Sequence, residues 1–239
     1  GSNDWTLLPP MLERVAGIEN RLGPLGICPK GLRGAERETC ERSQLTWAKG
    51  GVHMSLARAT VDYLLEQLDY RRLLARLNQK NYGVDESLLQ TLAATRALGL
   101  PGGFHAEHCL RANANASGPL SITRLAHWSH TKKHPGAEAC RSGHWRHGVC
   151  IFGVEDLAML AAAPQIVANK LMPSFDYAAI SCLGELLFNR SVHDLLDHPL
   201  QKSFYCNLPQ VRFDRARASG GSSFNITDFP CSPEEGEEM

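Results

Sequence analysis

The sequence predicts an α/β fold in which a mixed sheet is flanked by helices and joined by long irregular loops. Apolar residues recur at helical spacing in several segments, and short apolar runs such as 149–152 have the length of buried strands. Between them lies a stretch rich in Gly, Pro and His that has no apolar period. The 239 residues, 43% of them hydrophobic, can bury the core of one large domain or two small ones.

The elements of the first half follow from apolar spacing and turn residues. They are a helix over 6–18, a long loop over 23–51 in which 46–48 could form a strand, a strand over 53–56, and a helix whose apolar face runs from Val61 to Leu74. After a break near Gly83, Asp85 stands where a helix N-cap belongs. Glu86 is therefore predicted to lie in the first turn of the next helix.

Residues 99–149 are predicted to be irregular chain, because they hold seven of the ten histidines and little apolar periodicity. A long irregular segment in a compact domain is usually functional or disordered. The elements predicted after it are a strand over 149–152, helices over 156–163, 176–188 and 192–196, and a flexible acidic tail over 218–239. The folded domain is thus predicted to span residues 1–217.

The charge balance limits the classes of ligand. Lys and Arg number 25, as do Asp and Glu, so the formal net charge is zero. Such a chain is not expected to hold nucleic acid or an acidic membrane surface by bulk charge. Any anionic ligand must instead be met by a few placed cations.

Cysteines and glycosylation sequons favour the secretory pathway. The chain has eight cysteines and three acceptor sequons, at Asn115, Asn189 and Asn225. The N-terminal residues lack the basic and apolar regions of a signal peptide, and no apolar stretch approaches 18 residues. We therefore expect this chain to be part of a longer protein that carries its entry signal elsewhere.

Metal binding and disulfide formation are alternatives for the His-rich segment. Four residues of zinc-ligand type, Cys140, His144, His147 and Cys150, lie close together, and further His and Cys residues begin at His105. Common zinc modules separate their ligands into two pairs, because so short a chain can hardly wrap a tetrahedral site. A disulfide between Cys140 and Cys150 that closes a small loop is the simpler interpretation, and the zinc module stays as the alternative.

Several catalytic motifs are absent from the sequence. It contains no Gly-x-Ser-x-Gly, no Cys-x-x-Cys, no phosphate-binding glycine loop and no Asp-x-Asp that could hold a divalent ion on a nucleotide. Among individual residues, Glu86 could act as a general base, or it could lie at a helix start only because the helix dipole favours a negative charge there. Arg146 and Lys170 could bind phosphate or be solvated, and Trp128 could be a sugar platform or a core anchor.

An ordered set of segments resembles the core 2 and I-branching β-1,6-N-acetylglucosaminyltransferases. The run from Cys140 to Leu157 contains a cysteine, a His-x-Arg, a second cysteine and a Phe-Gly-x-x-Asp-Leu, as that family does. Ala-Asn-Lys at 168–170 and an Asp…Ala-Ile-x-Cys-Leu pattern at 176–183 follow in the family's order. Upstream, residues 82–92 are similar to its Tyr-Ser-Pro-Asp-Glu segment.

The resemblance implies the C-terminal portion of a GT-A-like domain, from a Golgi membrane enzyme that faces the lumen and uses UDP-GlcNAc without a divalent metal. By resemblance, Glu86 matches the catalytic base, and Arg146 and Lys170 match the cations that contact the UDP diphosphate. Trp128 matches a tryptophan that contacts the acceptor. His130 also falls in this acceptor segment, at a position where the family has a tyrosine.

The resemblance also bears on the cysteines. Cys140 and Cys150 match a family disulfide, whereas Cys182 matches a cysteine whose partner lies near the start of the catalytic region, outside this chain. One extra residue lies between Arg146 and Cys150 compared with the family pattern. The membrane anchor is likewise expected outside this chain.

The function expected from the resemblance is transfer of GlcNAc to a galactose- or GalNAc-containing glycan, forming a β-1,6 branch in O-glycan biosynthesis. A single displacement needs one carboxylate to accept the proton of the attacking hydroxyl, and positive charge against the departing diphosphate. The anomeric configuration then inverts. The alternatives are a catalytically silent glycan-binding protein and a related xylosyltransferase.

Overall fold

A computed structural model describes residues 18–79, 85–106, 108–109, 122–129, 140–193 and 199–230. The chain divides into two compact units, the first formed by residues 1–116 and 207–239 and the second by residues 117–206. The helix expected over 6–18 lies outside the described residues except for its last position, and residues 194–198 of the expected short helix also lie outside them.

The described residues form nine α-helices and four two-residue strands. In chain order the helices are α1 (Leu22–Leu25), α2 (Gly34–Arg42), α3 (Arg58–Glu66), α4 (Arg71–Leu77), α5 (Leu88–Ala94), α6 (Leu157–Ala162), α7 (Tyr177–Val192), α8 (Lys202–Cys206) and α9 (Pro209–Gly220). The strands are β1 (Arg124–Leu125), β2 (Trp145–Arg146), β3 (Val149–Cys150) and β4 (Val167–Ala168). This mixture of helices and small sheets confirms the α/β class.

The prediction of a loop over 23–51 is wrong where α1 and α2 lie within that range. A Cys28–Cys40 disulfide ties α2 to the chain after α1. Apolar spacing could not reveal α2, because Cys40 is its only buried residue and ion pairs such as Arg37–Glu41 support its solvent face. Neither 46–48 nor 53–56 forms a strand.

The helix expected between Val61 and Leu74 is divided into α3 and α4. Asp69 lies at the break, where its carboxylate accepts hydrogen bonds from the backbone N–H and the guanidinium of Arg71 at the start of α4. The leucines that face the core are Leu64, Leu68, Leu73 and Leu77. Leu65 and Leu74, which the periodicity placed on the same face, are exposed.

An aromatic cluster joins the two separate chain segments that form the first unit. The ring of Phe213 on α9 packs edge-on against Phe104 at 5.0 Å, Phe229 at 5.2 Å and Phe224 at 5.5 Å between centroids. Residues 218–230, which we expected to be flexible, therefore complete α9 and return to the core. The acidic residues 234–238 lie outside the described residues.

In place of the one mixed sheet expected, the described residues of the second unit form two small sheets. Strands β1 and β4 pair in parallel, with Arg124 opposite Val167, and β2 and β3 form an antiparallel hairpin. Cys150, Phe152 and Leu160 make its core, which confirms that residues 149–152 are buried. The helix expected over 156–163 is present as α6, preceded by a 3-10 turn at Val154–Asp156.

Helix α7 begins where the sequence indicates, and it is longer than expected. Asp176 is its N-cap and accepts a hydrogen bond from the backbone N–H of Ala179 at 3.1 Å. Only Ala179 is buried, whereas Leu187 and Phe188 are exposed. None of the helices in the described ranges is long and apolar enough to cross a membrane.

The packing of Phe229 can be tested by a pair of identical substitutions. Phe229 is 5% exposed and Phe188 is 55% exposed. We expect Phe229→Ala to lower the free energy of unfolding by about 3–5 kcal/mol, and Phe188→Ala by less than about 1 kcal/mol. Denaturant unfolding measures both. Equal and small losses would contradict the packing of the 218–230 segment.

A second prediction concerns pH. Burial, together with the positive charges of Arg217 and Arg96, lowers the pKa of His105 from 6.5 to about 4. Below pH 6.5 the unfolded chain binds a proton at this ring that the folded protein does not bind until about pH 4. The contribution of neutral His105 to the free energy of unfolding is therefore fully present above pH 6.5, and it is lost as the pH falls from 6.5 to about 4.

The measurement is the loss of unfolding free energy between pH 7 and pH 5. We expect His105→Gln to reduce this loss by roughly 1–2 kcal/mol relative to the wild type, because glutamine does not titrate. His53→Gln, at an exposed position, is the control. An unchanged pH dependence in the His105 variant would contradict the assignment.

Candidate active site

Glu86 lies in a turn ahead of α5, and not in the first turn of the helix as expected. Residues 85–87 form the turn, Ser87 is the N-cap, and the helix begins at Leu88. The Glu86 carboxylate forms an ion pair with Lys49, with 2.8 Å between Oε2 and Nζ, and both side chains are 28% exposed. Glu86 therefore lies one position before the N-cap of α5.

Residues 46–51 lie against α5 and bring Lys49 to Glu86. The backbone N–H of Thr46 donates to Thr95 Oγ1 at 3.0 Å, and that of Ala48 donates to Thr91 Oγ1 at 3.1 Å. Closer to the turn, the Gly50 N–H donates to the Glu86 carbonyl at 2.9 Å. Thr91 and Thr95 are buried, so these hydroxyls satisfy backbone groups that would otherwise lack partners.

In the second unit, residues 148–152 form the segment on which the other candidate residues converge. The Ser129 N–H, next to Trp128, donates to the Gly148 carbonyl at 2.8 Å, and Trp128 forms a bridge with Val149. Arg146 pairs with Val149 in the β2–β3 hairpin. The Lys170 carbonyl accepts from the Phe152 N–H at 2.8 Å. The structure therefore brings Trp128, Arg146 and Lys170 together around one stretch of backbone.

The hairpin that carries Arg146 closes with a tight two-residue turn. His147 and Gly148 have φ values of 53° and 76°, and two successive residues with positive φ are typical of the type I′ turns of hairpins. The extra residue noted between Arg146 and Cys150 falls within this closed hairpin. Arg146 thus occupies a strand position fixed by pairing with Val149 rather than an irregular loop.

Arg146 and Lys170 are both available to an anion. The Arg146 side chain is exposed, and its Nη1 lies 3.7 Å from the sulfur of Met172, two positions after Lys170. Among the residues that the structure describes, no carboxylate pairs with either cation. Apart from the contact between Arg146 Nη1 and the Met172 sulfur, their donors remain available in the described structure to a ligand such as a diphosphate.

The loop before the hairpin is held by a disulfide and a buried carboxylate. The Cys140–Cys150 disulfide is confirmed, with 2.05 Å between the sulfurs. Neither sulfur is then a zinc ligand, and within the described ranges no group of three or more His, Cys, Asp or Glu could hold a metal ion. The zinc module therefore loses two of its four central ligands.

Asp156 is a structural residue that the sequence analysis did not single out. Its buried carboxylate accepts from the backbone N–H groups of Arg141 at 2.9 Å, Gly153 at 3.0 Å and Ser142 at 3.4 Å. These bonds hold together the two ends of the segment 141–153, which contains the hairpin with Arg146. Asp156 belongs to the Phe-Gly-x-x-Asp-Leu motif, so the motif contained the signal for it.

The remaining predicted residues are spread over the chain. His130 and Asn115 lie outside the described residues. Asn189 lies on α7, and Asn225 is exposed with its side-chain oxygen accepting from Thr227 Oγ1 at 2.9 Å. Cys182 is an exposed free thiol on α7, and the structure adds the Cys28–Cys40 pair, which the sequence could not assign.

Neighbouring carboxylates test the role of Asp156. We expect Asp156→Asn to lower the free energy of unfolding by about 2–4 kcal/mol, because the amide has no negative charge and places an NH2 donor where one of the two acceptor oxygens faces backbone N–H groups. The exposed neighbour Glu155, changed to Gln, is the control and should cost less than about 0.5 kcal/mol. Thermal or denaturant unfolding measures both. Equal effects of the two substitutions would contradict the stabilising role of the hydrogen bonds that Asp156 accepts.

Comparison with known proteins adds an independent line of evidence. Residues 21–161 match the sequence model of a family described as Core-2/I-Branching enzyme. The matched region is more than half of the chain and contains Glu86, Trp128 and Arg146, whereas Lys170 follows it.

Several curated glycosyltransferases are similar to this chain. A beta-1,3-galactosyl-O-glycosyl-glycoprotein beta-1,6-N-acetylglucosaminyltransferase 3 from Ovis aries is 29% identical over 152 residues, covering 60% of this chain and 32% of the relative. The protein of the same name from Rattus norvegicus is 26% identical over 168 residues, covering 67% and 36%. An N-acetyllactosaminide beta-1,6-N-acetylglucosaminyl-transferase from Homo sapiens is 29% identical over 156 residues, covering 65% and 35%.

The chain thus spans about a third of the length of these curated relatives. The ordered motifs, the confirmed Cys140–Cys150 disulfide and the family match agree with one another. This chain belongs to the Core-2/I-branching enzyme family.

Proposed function

We propose that this protein transfers GlcNAc from UDP-GlcNAc to a galactose- or GalNAc-containing glycan, forming a β-1,6 branch of the kind made in O-glycan biosynthesis. Family membership and the printed names of the relatives support this proposal. The observation that carries it in this chain is the placement of two cations, Arg146 and Lys170, around residues 148–152, neither of which pairs with a carboxylate among the described residues. The chain is the C-terminal portion of a GT-A-like catalytic domain under this proposal.

The proposed reaction is a single displacement. The Glu86 carboxylate takes the proton from the 6-hydroxyl of the acceptor as that oxygen forms a bond to the anomeric carbon of GlcNAc. The bond between this carbon and the diphosphate oxygen breaks, and UDP leaves with the electron pair. Because attack and departure occur on opposite faces, the configuration inverts from α to β.

Arg146 and Lys170 supply the positive charge that the departing diphosphate requires. The guanidinium can bind two phosphate oxygens at once, and the ammonium adds a compact charge. Under this proposal the two cations act without a divalent metal. Trp128, on the segment beside the hairpin, is the proposed acceptor contact, together with His130.

The secretory pathway is the proposed location, with the active region in the Golgi lumen. The Cys28–Cys40 and Cys140–Cys150 disulfides support it, because such bonds persist in oxidising compartments. An anchor to the Golgi membrane belongs to the same proposal. Asn225 and Asn189 are the proposed glycosylation sites among the described residues, with Asn115 as a third.

The test is transfer by the full-length protein from UDP-GlcNAc to galactose- and GalNAc-terminated acceptors in the presence of a chelator. We expect Glu86→Gln to lower kcat roughly 10²- to 10⁴-fold, because the amide cannot accept the proton. The matched control is Glu66→Gln, at an exposed position on α3, which should keep wild-type turnover.

Three results would contradict the proposal. Full turnover by Glu86→Gln would remove Glu86 as the base. Transfer of xylose rather than GlcNAc would indicate the related xylosyltransferase activity. Glycan binding by the wild type without any transfer or donor hydrolysis would indicate a catalytically silent binding protein.

A further inference from the structure

The ion pair between Lys49 and Glu86 differs from the other ion pairs of the described residues. Each of the others joins side chains within four positions of each other and has at least one partner more than 40% exposed. Lys49 and Glu86 are far apart in the sequence, and both are 28% exposed. This pair is therefore a product of the fold and not of local spacing on a helix surface.

The backbones of both residues are fixed independently of the ion pair. The Gly50 N–H donates to the Glu86 carbonyl at 2.9 Å, and Gln90 Nε2 donates to the Gly51 carbonyl at 2.9 Å. Ala48, on the other side of Lys49, forms hydrogen bonds to the Thr91 hydroxyl through its backbone N–H and carbonyl. Gln90 and Thr91 are fully buried, so this register is protected from water. The backbone on both sides of Lys49 is consequently held beside Glu86 by bonds other than the ion pair.

The pair leaves one carboxylate oxygen available. Lys49 Nζ contacts Glu86 Oε2, and in the described part of the chain the Glu86 side chain has no further hydrogen-bond partner. A carboxylate held at one oxygen presents the other in a fixed direction, which reduces the entropy lost when it meets the acceptor hydroxyl.

We propose that Lys49 is a positioning residue for Glu86: its ammonium holds Oε2, so that Oε1 is directed toward the proton of the acceptor hydroxyl. The inference rests on the proposed role of Glu86 as base. In the reaction the O–H bond of the acceptor breaks, its proton passes to Oε1, and Lys49 keeps its own protons throughout. Lys49 acts through Glu86 and does not itself touch the reacting atoms.

The experiment is a double-mutant cycle in the full-length protein. Lys49→Met removes the charge and keeps the apolar stem, and we expect it to lower kcat roughly 10- to 100-fold with little change in KM for UDP-GlcNAc. Added to Glu86→Gln, the same substitution should cause no further loss. Lys49→Arg should recover part of the rate, since its guanidinium can also bind Oε2.

Arg58→Met is the matched control, because Arg58 forms an exposed ion pair with Asp62 in the same unit at the same 2.8 Å. It should leave kcat unchanged. A thermal melt accompanies each variant, and Lys49→Gln replaces Lys49→Met if the latter does not fold. Wild-type kcat in the Lys49 variants, or an equal loss with and without Glu86, would overturn the inference.

The two proposals fail in different ways. If Glu86→Gln keeps full turnover, the assignment of the base and the role of Lys49 fall together. If Glu86→Gln loses turnover while Lys49→Met and Lys49→Gln keep it, the base stands and only the positioning role is overturned.

Discussion

The second unit depends on the hydrogen bonds of residues 148–152. The carbonyl of Gly148 and the N–H of Cys150 bond to the chain around Trp128, the N–H of Ile151 bonds to the chain before Arg146, and the N–H of Phe152 bonds to Lys170. Because one short stretch serves three neighbouring segments, residues that are distant in sequence share a location. The Cys140–Cys150 disulfide and the Asp156 carboxylate fix the ends of the same region.

In the first unit, side chains hold a backbone segment in place. Residues 46–51 belong to no strand of the described residues, and the buried hydroxyls of Thr91 and Thr95 accept from the backbone N–H groups of Thr46 and Ala48. Helix α5 therefore acts as the surface on which this segment is aligned. The alignment continues through Glu86, so the geometry of a potential base is set by the same contacts that build the core.

The parts of the fold that the sequence predicts are those whose cause is local. Asp176 caps α7, and Pro164 follows α6, because capping and chain-breaking depend on neighbouring residues. Helix α2 could not be predicted from apolar spacing, because its charged surface has no apolar period. The break between α3 and α4 depends on the hydrogen bonds between Asp69 and Arg71. The ordered motifs identify Glu86, Arg146 and Lys170 as candidates. The turn that holds Glu86 and its ion pair with Lys49 arise from contacts between distant segments, which no local pattern encodes.

The central proposal is that the full-length protein carries out inverting transfer to a sugar hydroxyl, with a carboxylate as base and two cations against the departing diphosphate. The most direct measurement is the NMR structure of the product formed by the full-length protein from UDP-GlcNAc and a Galβ1-3GalNAc acceptor. The account predicts one new GlcNAc residue in the β configuration, linked to an O6 oxygen. An α-linked product, or linkage to another hydroxyl, would contradict it.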